Sequence, residues 1–149
     1  RPITTSGWTR ARALFPEAFR GLVDGTQAVL SPLEGRIERV AMDADLGGGI
    51  SLVPTAGHTP GHVSVLLSSG GRDLMVFADV AIHPVVSLRR PDLPFAFDVD
   101  PEAAIATRRA ILDRVATDGT AVMSYHWPFP GIGYVGRDGD AYRFDAAIL

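Results

Sequence analysis

The stretch Thr55-Ala56-Gly57-His58-Thr59-Pro60-Gly61-His62 limits what this chain can fold into more than any other, because it holds two imidazoles in a segment closed to helix. Gly57 and Gly61 open backbone angles that other residues avoid, and Pro60 fixes its own φ while pushing Thr59 out of the helical region. Turn geometry therefore places the histidines. Ile50 to Pro54 precedes the turn and Val63 to Leu67 follows it, both rich in the aliphatic and β-branched residues that strands favour. A glycine-rich turn between two strands predicts a reactive loop held by rigid elements.

With 149 residues, 46% of them hydrophobic, the chain is expected to form one domain with its own core. A formal charge of -3 argues against nucleic acid or a membrane surface as partner. No apolar run reaches the roughly 18 residues of a membrane span, and no targeting signal is legible, so the compartment stays open. Without cysteine, a metal has to be held by histidine and carboxylate, which suits zinc, iron or manganese. The chain opens on Arg1 rather than Met, as expected of a segment from something longer.

Along the chain, apolar residues from Trp8 to Val23 recur at spacings of three and four, predicting two short helices broken at Pro16 and ended by Asp24-Gly25. A loop follows around Pro32, and the alternation in residues 36–40 predicts a half-buried strand. A hairpin turn at 69–72 leads to an apolar run, 73–78, expected to be a strand covered on both faces. Residues 80–99, with Pro84, Pro91 and Pro94, read as a long pocket-wall loop. Asp100 is a ready N-cap for a helix from Pro101 to about Thr117, which Gly119 stops. Its apolar stripe leaves Arg108 and Arg109 on the solvated side. A strand over 121–125 and a terminal hairpin turning at Asp138-Gly139 complete the chain.

Three strands thus end on metal-ligating side chains: His62, Asp79 and His126. Two imidazoles and a carboxylate are a sensible ligand set for zinc, and a carboxylate can bridge two ions. Bland readings stand beside this one. His58 is expected to brace the turn from behind the ligands, His83 is at least as much a surface residue as a substrate contact, and Phe95, Phe97, Trp127 and Phe129 are candidates to line an apolar substrate pocket, although such a set is usually core.

Gly57-His58-Thr59-Pro60-Gly61-His62, Phe77-Ala78-Asp79, and Tyr125-His126 followed by Pro128-Phe129-Pro130-Gly131-Ile132-Gly133 resemble the C-terminal half of the metallo-β-lactamase superfamily. Together with Asp98-Val99-Asp100-Pro101, they are similar to its methyl parathion hydrolase-like branch, which includes lactonases. The resemblance covers about residues 36 to 145. It implies an α/β (α+β) architecture: half of an αββα sandwich, a mixed β-sheet with helices on one face, after a helical lead-in over residues 1–35. It also implies that His62 binds the first of two zinc ions, that Asp79 bridges both and that His126 binds the second, with iron or manganese as alternatives. A metal-activated hydroxide would then attack an ester, lactone or phosphotriester.

The superfamily's His-x-His-x-Asp-His segment has no counterpart in residues 1–56, which contain no histidine. No complete catalytic set is therefore expected in this chain, metal binding should be weak or absent, and the chain by itself should be inactive. Half a sandwich exposes an apolar sheet face, so association is expected, either with a second copy or with a separate N-terminal half. The competing expectation is an inactive fragment that self-associates through that sheet.

Overall fold

Apolar alternation and glycine turns build one seven-stranded mixed sheet, ordered β1-β2-β3-β4-β5-β6-β7: Asp45–Gly47, Ile50–Pro54, Val63–Ser69, Arg72–Val76, Ala121–Met123, Ile132–Asp138 and Ala141–Ala146. The computed structural model describes residues 12–13 and 16–147. It divides into two compact units, one reaching Ala41 and one starting at Met42. Every neighbouring strand pair is antiparallel except β4 and β5, which run parallel. A parallel pair needs a crossover. Here the crossover contains the short helix α2 (Val86–Arg89) and the long helix α3 (Pro101–Asp118). No helix among the described residues is long and apolar enough to cross a membrane.

The α3 boundaries follow from local chemistry. The Asp100 side chain accepts the Ala103 N–H at 3.0 Å, Pro101 opens the helix, and Gly119 ends it in the left-handed conformation at φ 65°. Its buried residues, Ala104, Arg108, Ile111, Leu112 and Val115, form one stripe, of which the last three join Met75, Phe77, Val122, Val135 and Tyr142 in the core. Val80, Ala81, Leu88 and Trp127 complete it. Burying aliphatic and aromatic side chains of this size contributes about 1.5–3 kcal/mol each. Trp127 meets Phe77 and Phe144 edge-on and donates its indole N–H to the Ala81 carbonyl at 2.8 Å.

The other sheet face carries the residues that the register places opposite one another: Ile50, Leu67, Leu74, Ala121 and Tyr134 in one row, Leu52, Val65, Val76, Met123 and Ile132 in the next. These are apolar, yet none is fully buried, and Ile50 and Tyr134 are exposed. The strand over 72–76 is therefore covered on one face, where Met75 sits, and half-open on the other, instead of covered on both.

Other expectations need correction. In the first unit, helix α1 (Arg20–Leu30) runs straight through Asp24-Gly25 and passes into a 3-10 helix, Ser31–Arg36, with Pro32 in its first turn. A helical glycine costs about 1 kcal/mol relative to alanine, which weakens a helix without ending it. Residues 37–41 form no strand, because alternation cannot make one without a neighbour to bond. Much of the expected helix before Pro16 lies outside the described residues. Arg108 is not solvated: it is only 3% exposed and donates to the carbonyls of Val80, Pro91 and Leu93. Three backbone acceptors and a carboxylate make a polar socket inside an otherwise apolar stripe, which hydrophobic periodicity does not register.

Candidate metal centre

The histidine loop joins β2 to β3 and is closed by its own backbone, Thr55 N–H to the His62 carbonyl at 3.0 Å and His62 N–H to the Thr59 carbonyl at 3.2 Å. It is fastened to the start of α3. Asp100 and Val99 donate their N–H groups to the carbonyls of Gly57 and His58, and the Thr107 hydroxyl donates to the Ala56 carbonyl at 2.7 Å. Gly57 has φ 140°, and a Cβ there would lie 2.4 Å from the Ala104 Cα and N. Only glycine lets the loop lie this close to the helix.

The two histidines of the loop differ in what their nitrogens do. His62 is buried, and its Nδ1–H donates to the Thr55 carbonyl at 3.0 Å, with the Thr55 hydroxyl 2.8 Å away. A carbonyl only accepts, which leaves Nε2 as acceptor of the Asp79 N–H at 3.1 Å. Both nitrogens are committed. Burial holds this imidazole below its ordinary pKa, against the opposing pull of Asp79 and Thr55. His58 Nδ1, by contrast, donates to the Asp98 carboxylate at 3.0 Å, and its Nε2 faces Asp79 Oδ2 at 4.0 Å. In the neutral ring this makes Nε2, on the Asp79 side, the acceptor nitrogen.

Asp79 and His126 each stand three residues past a member of the parallel pair Val76 and Met123. Parallel neighbours end at the same edge of a sheet, so both side chains are delivered together. Ala78, immediately before Asp79, has φ 50°, a left-handed backbone uncommon outside glycine and frequent at functional sites. The Asp79 carboxylate accepts His126 Nε2–H at 2.8 Å and the Tyr125 hydroxyl at 3.0 Å. Burial opposes its ionisation, but the His126 and Tyr125 hydrogen bonds outweigh this and hold it below the usual carboxylate range. Tyr125 is pushed up to about 12 by burial and by the Asp79 carboxylate.

His58, His62, Asp79 and His126 thus converge. His83 makes local hydrogen bonds: its Nδ1 accepts the N–H groups of Val85 and Val86 at the start of α2. Phe129 is 94% exposed, whereas Trp127 belongs to the core. Phe95 lies 6.5 Å from the His58 ring and 5.4 Å from Phe97, centroid to centroid. Sequence reasoning missed Asp98 and Tyr125 as neighbours of the site; only the adjacency of Tyr125 to His126 pointed to it. An open hollow of about 790 Å³ lies elsewhere, along the row Ile50, Leu67, Leu74, Ala121 and Tyr134, and none of the four site residues lines it.

No family model matches the chain. Among solved structures, it superposes on the hydrolase AbOPH of the beta lactamase superfamily with a TM-score of 0.84 at 27% identity, covering 97% of this chain and 52% of that one. The chain has a metallo-β-lactamase fold. A second match is AidC, a dizinc quorum-quenching lactonase, with a TM-score of 0.82 at 25% identity over 90% of this chain and 46% of that one. A probable metal-dependent hydrolase from Staphylococcus aureus shares the fold at 18% identity, with a TM-score of 0.62 over 77% of this chain and 42% of that one. The chain spans about half the length of these metallo-β-lactamase-type structures.

His58, Asp79 and His126 are donors of the types zinc accepts, and both rings approach the one carboxylate. Among the described residues no group of three or more histidine, cysteine or acidic side chains is disposed to hold an ion. His126 and Asp79 are hydrogen-bonded to each other at the distance of a closed pair.

Proposed function

We propose that this chain carries one half of the site of a metal-dependent hydrolase acting, in its complete form, on ester, lactone or phosphotriester bonds, with zinc as the metal. The observation that carries this is the convergence of His58 Nε2, the Asp79 carboxylate and His126 at the edge where β4 and β5 end. The geometry favours an exchange of the roles first expected within the loop. His58 takes the ligand position, and His62, with both nitrogens in protein hydrogen bonds, fixes the loop and the Asp79 backbone. A divalent ion lowers the pKa of water held against it and polarises a carbonyl or phosphoryl oxygen. The chain's own part is to hold Asp79 ionised, to aim two imidazoles at it, and to place the Tyr125 hydroxyl on the same carboxylate. Lactone chemistry is supported by AidC, a lactonase, among the matches.

Zinc titration of the 149-residue chain, followed through the histidine ring nitrogens by long-range 1H–15N correlation NMR, tests the assignment. The expected result is weak binding that moves the signals of His58 Nε2 and His126 and spares His62, with no turnover of paraoxon or an acyl lactone. Zinc shifts on His62 and none on His58 overturn the ligand assignment, and stoichiometric zinc with turnover overturns the incompleteness of the site.

A second reading, an inactive fragment that self-associates, is favoured by the two apolar rows of the half-open sheet face. On it, Leu74→Glu converts an oligomer to a monomer in light scattering. A monomeric parent chain sinks it.

A further inference from the structure

The Asp98 carboxylate has contacts that neither the fold nor the proposed reaction has yet used. Its side chain is fully buried, although it lies in the irregular segment before α3. One oxygen receives His58 Nδ1–H at 3.0 Å; the other accepts the Phe95 N–H at 2.9 Å and lies 3.5 Å from Arg108 Nη2. Arg108 is itself fixed by three backbone carbonyls, so the carboxylate cannot turn away. An isolated buried carboxylate is expensive, and one surrounded only by donors has a single sensible arrangement. Every group facing Asp98 donates to it, and His58 can join only as a donor.

We infer that Asp98 is the positioning residue of this site: its carboxylate, oriented by Arg108 and the Phe95 N–H, fixes His58 as the Nδ1–H tautomer with the Nε2 lone pair turned to Asp79. An imidazole has two neutral tautomers of similar energy, and only this one presents an electron pair on the Asp79 side. Asp98 lies 40 residues from His58, so the tautomer is set by the crossover and not by the loop that carries the ring. Carboxylates behind ligating histidines act in this way at metal sites in general. The inference rests on the proposed ligand role of His58 for its purpose, though not for its first test.

That test is the tautomer in metal-free protein, read from long-range 1H–15N spectra near pH 8, above the ordinary imidazole pKa of about 6.5. In the parent chain His58 is expected as Nδ1–H, and the Nε2–H form there overturns the inference without any variant. In Asp98→Asn the amide nitrogen cannot face Phe95 N–H and Arg108, so it turns to His58 and demands an acceptor. The expected result is a switch to Nε2–H, while His62 keeps its tautomer. A folded Asp98→Asn chain in which His58 stays Nδ1–H also overturns it. Zinc titrated into the same pair of proteins is expected to bind the variant about 10–100-fold more weakly. Equal zinc affinity in the two, despite the switch, removes the link to metal binding. A normal tautomer switch combined with no zinc shift on His58 in the parent chain refutes the ligand reading and leaves the positioning intact.

Discussion

Replacing Arg108 with methionine tests whether the polar socket under the crossover holds the site together. The guanidinium gives Nε–H to Val80 O at 2.9 Å and Nη1–H to Pro91 O and Leu93 O at 3.1 and 2.6 Å, and pairs with Asp98 at 3.5 Å. Removing one partner of a buried ion pair costs about 3–5 kcal/mol, because the other charge stays buried. The three carbonyls add a further penalty of about 1–3 kcal/mol for each that water fails to reach. Methionine returns about 1.5–3 kcal/mol of apolar burial. The net expectation for Arg108→Met is a loss of about 4 kcal/mol, a large share of the roughly 5–15 kcal/mol that stabilises an ordinary domain. Urea unfolding followed by far-ultraviolet circular dichroism measures it. In the double variant Asp98→Asn/Arg108→Met the charges leave together, so its loss should fall short of the sum of the single losses by about 1–3 kcal/mol. An Arg108→Met chain within about 1 kcal/mol of the parent, or additive losses, refutes the reasoning.

Gly57→Ala places a Cβ 2.4 Å from the α3 backbone, which has no flexible end to yield; a loss of more than about 2 kcal/mol in urea, with displaced His58 ring signals, is expected. Ser124 has a buried hydroxyl without a hydrogen-bond partner among the described residues, so Ser124→Ala should be neutral or stabilising by up to about 1 kcal/mol, read as an unchanged or raised Tm. The pH dependence has a definite sign. His62 is held below its ordinary 6.5, so below that pH the unfolded chain takes up a proton that the folded chain resists, and stability falls as pH drops through 6.5 toward the lowered folded value. His62→Gln should flatten that slope in urea midpoints measured across the window.

The sheet was legible where local signals decide. Glycine turns at 69–72 and 138–139, the Asp100 cap and the Gly119 stop depend on a few neighbouring residues, and strands and helix appear there within a residue or two. Contacts between distant segments were not. The exchange of roles proposed for His58 and His62 turns on a partner 40 residues away for one ring and 7 for the other, and spacing inside the loop cannot weigh them. Arg108 was placed on the wrong side of its helix because periodicity counts apolar residues, whereas the socket is lined by backbone oxygens. Residues 36–40 alternate like a strand, but Arg36 ends a 3-10 helix and the rest have no paired strand among the described residues.

The parallel seam between β4 and β5 has a consequence for how such a protein can vary. Because Val76 and Met123 are locked side by side, the chain that travels between them does not decide where Asp79 and His126 emerge. Within that stretch Leu88, the core stripe of α3 and the residues that fasten the histidine loop are fixed, whereas exposed positions such as Val85 and Val86 can change without disturbing the two donors at the sheet edge. The surface of that stretch can therefore diverge while the Asp79–His126 pair stays in place.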